Sequence, residues 1–180
     1  LQGASRVELV EVVLARRPEP PPVPDFIASP DPELEEWVRL ERLGNWWLDR
    51  MVDSSVTETT TPSPIVERMT MFWHNHFATS AEKAYDTRAL HAQNDLFRRE
   101  GLGSFRTLCR EMSLQVAMLV YLDNQYNTKG SPNQNFAREL MELFMLGIGN
   151  YSEDDVVAGA AAWSGHGLDY DENWRNPVYA

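Results

Sequence analysis

Apolar residues recur three and four positions apart along most of this chain, the spacing of a helical face, and almost nowhere alternate as a half-buried strand would. Asp31-Pro32 supplies an N-cap and a first-turn proline for a helix to about Asp53, whose stripe Trp37, Leu40, Gly44, Trp47 and Met51 is expected to face the core. Ser63-Pro64 repeats the signal for a helix to about Phe77, and Asp86 opens another that ends near Gly101 and Gly103. Two short helices follow from Ser104 and Ser113, finishing at Leu122-Asp123-Asn124. Ser131-Pro132-Asn133-Gln134 has the capping-box order with a proline inside it, and Gly147 closes that helix. Ser152 with Glu153, Asp154 and Asp155 sets a cap and three acids at the positive end of one more helix, which runs to about Ser164. Only the segment after Gly167 reads as extended. The fold class is therefore all-α, an irregular multi-helix bundle with a small β element starting near the C-terminal end, at about residue 168.

Proline divides the chain. Residues 1–17 hold an N-terminal helix over 5–16, and seven of the eleven prolines then fall between Pro18 and Pro32. That stretch, 18–32, is a connector in which Pro20-Pro21-Pro22-Val23-Pro24 is expected to be extended polyproline II. Residues 33–167 form the helical domain, and 168–180 begin an extended segment expected to be completed by residues beyond this chain. Starting at Leu1 rather than Met, and stopping within an extended run, both ends read as cut.

Charge narrows the partners. Sixteen basic residues against 27 acidic ones give a formal charge of -11, which repels a phosphate backbone and argues against nucleic acid. No apolar run approaches the ~20 residues needed to cross a bilayer. The single cysteine, Cys109, has apolar neighbours at helical spacing and reads as a buried, inert thiol.

Two constellations could carry chemistry. In the helix from Pro132, Asn135, Arg138, Glu139 and Glu142 share one stripe opposite Phe136, Leu140, Leu143 and Phe144. Arg138 can pair with Glu142, and Glu139 can reach Asn135. Met141, Met145 and Leu146 suggest that this helix is buried nearly all round, in which case a buried arginine with two carboxylates forms either a structural network, the favoured reading, or a site. The second constellation is Phe72-Trp73-His74-Asn75-His76-Phe77. On a helix the two imidazoles stand about 200° apart and cannot share one metal. His76 falls on an apolar face and reads first as a core histidine and second as a base or ligand, while His74 is expected to be exposed. Asp169-Tyr170-Asp171-Glu172-Asn173 opens like a calcium loop but lacks its glycine and its closing glutamate. No phosphate loop, nucleophile elbow or Cys-x-x-Cys is present, and the sequence names no metal or cofactor.

Phe72-Trp73-His74-Asn75-His76-Phe77, Leu122-Asp123-Asn124, and the run from Asn133 through Asn135, Arg138, Glu139 and Glu142 to Gly147 resemble the bacterial domain-of-unknown-function family 1800. The order continues through Tyr151-Ser152-Glu153-Asp154-Asp155-Val156 and Ala160-Ala161-Ala162-Trp163-Ser164-Gly165, so the resemblance spans roughly residues 34–167. It implies a longer protein, export to the periplasm or outside the cell, and signature positions at the polar stripe and the histidine helix. It names no reaction. Gln134 stands where that family usually has glutamate, and His166 where it usually has tryptophan.

Three readings compete. In the first, the signature residues build an Asn/Arg/Glu/His network in a scaffold or assembly protein of the cell envelope, with His76 bonded to backbone or to Asn124. In the second, a hydrolase-like enzyme uses Glu139 or Glu142 as general base, Arg138 as anion holder and His76 as proton shuttle, with Asn124 and Asn135 binding. In the third, Trp46, Trp47, Trp163 and Trp174 form a carbohydrate-binding surface.

Overall fold

The helix-start signals become real helices in the computed structural model, which describes residues 5, 7, 21–53, 64–170 and 175–179. Apart from positions 5 and 7, the expected N-terminal helix lies outside the described residues, as do Asp171, Trp174 and most of the calcium-like loop. Pro24 has the φ of -59° and ψ of 143° of polyproline II, but a single helical turn, α1 (Asp25–Ala28), then interrupts the connector. The main helices are α2 (Glu36–Asp53), α3 (Pro64–His76), α5 (Thr87–Glu100), α6 (Phe105–Ser113) and α7 (Val116–Tyr121), with a short unanticipated turn, α4 (Ala81–Ala84), between α3 and α5. A 3₁₀ turn (Asn124–Tyr126) leads to α8 (Gln134–Glu139), which continues as a π-helical segment over Leu140–Met145, and then to α9 (Glu153–Ala162). The fold is all-α with one β appendage. Strand β1 (His166–Tyr170) begins where the extended pattern begins, and its antiparallel partner is β2 (Arg175–Tyr179), inside the chain rather than beyond it.

Two helix starts differ from the reading of the sequence, each for a local reason. The Asp31 carboxylate accepts from the Glu33 backbone N–H at 3.0 Å, closing a turn of its own, so α2 begins only at Glu36. Ser131 is drawn into a bridge with Thr128, and Asn133 caps α8 instead, its Oδ1 accepting from the Phe136 N–H at 3.0 Å. Two other signals hold as read. Asp86 caps α5 by accepting from Ala89 N–H, and Ser152 forms a full capping box with Asp155.

The core is built from Phe77, Leu96, Phe97, Leu108, Met112, Met118, Leu119, Phe136, Leu140 and Phe144, with the Cys109 thiol buried beside them and pushed above its ordinary pKa by that burial. Helices α8 and α9 pack closely because position 159 is glycine: a Cβ there would stand 2.7 Å from Met141 Cε and 3.3 Å from Ala137 Cβ. The α2 stripe does not enter this core. None of its residues is fully buried, and Trp37 is exposed. Leu40, Gly44 and Trp47 instead line a cavity between α2, α3 and α5.

Three asparagines tie the C-terminal half together. Asn124, fully buried, donates from Nδ2 to the carbonyls of Trp163 (3.4 Å) and His166 (3.2 Å) and accepts from Asn127 Nδ2 (2.9 Å). Asn127 also donates to Ala160 O and accepts from the Asn133 N–H. Asn133 donates to the carbonyls of Leu122 and Asp123. The network joins the end of α7, the start of α8, the end of α9 and β1, and satisfies carbonyls that a helix terminus leaves open.

Candidate functional site

The polar stripe of α8 lies on the surface rather than inside. Asn135 is exposed, Arg138, Glu139 and Glu142 are half-buried, and only Phe136, Ala137, Leu140 and Phe144 of this helix are buried. The expected burial all round fails because Leu143 and Leu146 face outward. The expected partners also change. Arg138 turns from Glu142 to α9, donating from Nη1 and Nη2 to the two Glu153 oxygens at 2.7 and 2.8 Å. This two-pronged bond holds the Arg138 charge firmly and lowers the Glu153 carboxyl below its ordinary 4.5. Glu142 accepts from the Tyr151 hydroxyl, which that bond raises above its ordinary 10.0. Glu139 and Asn135 are not bonded to each other, and the Glu139 carboxylate has no hydrogen-bond partner among the described residues. The stripe is thus a lacing between α8, the Tyr151 turn and α9.

The histidine motif splits across α3. His76 bonds through Nε2 to the carbonyl of Phe144 at 2.8 Å and packs edge-on to Phe77 and Trp73. A carbonyl only accepts, so Nε2 carries the proton. The π-helical segment opens this contact: with Leu146 N–H bonded back to Met141 O, at 2.7 Å, the last turn is wider than an α-turn. Of the residues grouped from the sequence, the structure joins His76 to the backbone of α8, not to the side chains of Arg138, Glu139 or Glu142. Asn124 belongs to the asparagine network, away from His76.

His74, expected to be exposed, is half-buried, edge-on to Trp47 (ring centroids 4.8 Å apart) and facing Phe97 (6.5 Å). Burial pushes its pKa below the ordinary 6.5, so the ring is neutral at pH 7. The ring borders the cavity of about 310 Å³, whose wall also includes Leu40, Leu43, Gly44, Trp47, Thr79 and Asn94. Below it lies a buried charge pair. Arg98 binds Glu67 through Nε (2.7 Å) and Nη2 (3.0 Å), Trp47 Nε1 donates to the same carboxylate at 3.2 Å, and Arg50 approaches to 3.7 Å. Both guanidinium groups stand 5.4 Å from the centre of the Trp46 ring.

The wall of this cavity comes from α2, α3, Thr79 in the turn before α4, Ala81 of α4, and α5, and no local spacing links Glu67 to Arg98. The one signal that could have found it was Gly44 in mid-stripe, where a packed helix face has no use for glycine. The described tryptophans do not form one platform. Trp46 and Trp47 sit between α2 and α5, while Trp163 packs on Phe136 and His166. No cluster of three or more His, Cys, Asp or Glu side chains suited to a metal occurs among the described residues, and no described helix is long and apolar enough to cross a membrane.

Compared with known families, residues 11–179 match the model described as a protein of unknown function (DUF1800), a span wider than the signature runs alone. No curated protein and no solved structure matches the chain.

Proposed function

The chain belongs to the DUF1800 family, and from that premise we propose that it is a helical scaffold or assembly module of an exported protein in the cell envelope. One observation carries this reading: three of the signature polar groups are spent on holding helices together. Arg138 is committed to Glu153, Glu142 to Tyr151 and His76 to the Phe144 carbonyl. A hydrolase needs its base, its anion holder and its proton shuttle around one shared space, with polar atoms free for substrate. Export and the envelope partner rest on the family resemblance.

The test is made on the full-length protein in cells that produce it, by fractionation and crosslinking, with metal analysis of protein purified without chelator. The scaffold reading expects an envelope-associated complex, no stoichiometric metal, and stripe variants that weaken assembly even where, as at the surface Arg138–Glu153 pair, stability changes little. Glu139, the stripe carboxylate without a bond, is where a catalytic role would survive. Stoichiometric metal that is lost in a folded Glu139→Gln variant, or a monomeric protein with hydrolytic activity abolished by that change, overturns the proposal.

A further inference from the structure

The stripe of α2 leaves the core in order to wall a cavity, and that cavity is built to hold something. We propose that the space between α2, α3 and α5 binds a small uncharged aromatic or alicyclic molecule that carries a carbonyl-type acceptor. At about 310 Å³ it has room for roughly ten waters at ~30 Å³ each, about twice the ~150 Å³ cavity known to take benzene. It lies at the small end of the range for ligand pockets, ~300–1,000 Å³.

Gly44 supplies the second observation. Glycine is disfavoured inside a helix and is usually kept there so that a neighbouring backbone can approach. Here no heavy atom lies within 4 Å of the place a Cβ would occupy. The residue is exposed and borders the cavity, so its missing side chain leaves the mouth of the cavity open and does not relieve a clash.

Asn94 supplies the third. The residue is 5% exposed, its Oδ1 accepts from Arg98 Nη2 at 2.9 Å, and its amide NH₂ donates to no described protein group. A donor on the cavity wall with no protein partner can give its hydrogen bond to a ligand's acceptor in place of water. Thr79 spends its hydroxyl proton on Gln93 Oε1 at 2.6 Å and keeps a lone pair. Charge decides the rest of the ligand's chemistry. His74 is neutral, and Glu67 is shared between Arg98 at 2.7 Å and Arg50 at 3.7 Å, none of these ions being part of the cavity wall. With Leu40, Leu43, Leu90 and the Trp47 ring as the remaining wall, an ionised ligand would lose its hydration for no counter-charge. This site is independent of the scaffold reading, since it shares no residue with the stripe.

The test is fluorine NMR on the full-length protein with three probes of similar size: 4-fluoroacetophenone, fluorobenzene and 4-fluorobenzoate. The expected result is saturable line broadening for 4-fluoroacetophenone, with binding about tenfold tighter than for 4-fluorobenzoate and tighter than for fluorobenzene. Gly44→Leu plugs the space and abolishes the broadening while the thermal melt stays intact, and Gly44→Met gives a second, more flexible plug should the leucine variant misfold. Gly44→Ala, too small to fill the cavity, keeps binding. Absence of saturable broadening for 4-fluoroacetophenone with the unaltered protein overturns the proposal. So does equal broadening in folded Gly44→Leu and unaltered protein, or equal affinity for the benzoate.

Discussion

Removing Glu67 is the sharpest perturbation of this fold. Glu67 and Arg98 side chains are each 2% exposed and share two short hydrogen bonds. At an effective dielectric near 20, unit charges about 4 Å apart attract by about 4 kcal/mol. Breaking a buried pair by removing one partner costs about 3–5 kcal/mol, because the other charge stays buried without compensation. Glu67→Leu also orphans the Trp47 indole N–H, adding about 1 kcal/mol, so a total of about 4–6 kcal/mol is expected. Arg98→Leu should cost less, about 2–3 kcal/mol, since the carboxylate keeps Trp47 and has Arg50 at 3.7 Å. The double variant leaves no buried charge of the pair and should fall short of the sum by at least about 2 kcal/mol. Urea titrations followed by circular dichroism, at a common slope, give all three values. A Glu67→Leu cost under about 1 kcal/mol, or single costs that add to within about 0.5 kcal/mol, would refute the claim that this pair anchors α3 to α5.

Asn124→Ala removes the donor to two carbonyls and the acceptor of Asn127, so a loss of about 2–3 kcal/mol is expected, with faster hydrogen exchange in β1 and α9. Unchanged exchange there would deny the network its bracing role. His74 and His91 both have pKa values below the ordinary 6.5, chiefly through burial, with Arg98 adding to the effect at His91 and Asp95 opposing it. The unfolded chain therefore binds more protons below that value. Stability is full above about pH 6.5 and declines as pH falls toward the folded values. Melting curves across that window should show the decline, and the His74→Gln/His91→Gln variant should flatten it. Gly44→Ala should raise stability by about 0.5–1 kcal/mol, measured in the same urea titrations. Arg138→Ala should change the melting temperature little, and less at high salt, because the Glu153 pair lies at the surface.

Local signals proved legible where the chemistry is local. Asp86 and Ser152 cap the helices they were read to cap, Gly147 stops α8 with a positive φ of 80°, and the extended run after Gly167 becomes β1. Competition between neighbouring polar residues was harder to see. Ser131 and Asn133 both offer a cap, and the choice falls on Asn133 because Ser131 is held by Thr128. The candidate site was legible as a set of signature residues but not as a geometry. Spacing along one helix favours Arg138 with Glu142, yet the helix that supplies Glu153 lies close enough for a two-pronged bond, which outweighs a single exposed i,i+4 pair. The wider π-turn, which no propensity signals, is where His76 finds its acceptor, the Phe144 carbonyl.

The spacing that rules out a shared metal also explains how one motif serves two ends. Two residues apart on α3, His74 and His76 lie on opposite faces. His76 holds the π-turn of α8 through the Phe144 carbonyl, while His74 borders the cavity and sits against Trp47. Phe77 and Phe97 stack between these faces, with ring centroids 6.1 Å apart, and Phe97 also meets His74. Helix α3 thus carries His76 against the π-turn that follows α8 and His74 against the wall of the cavity.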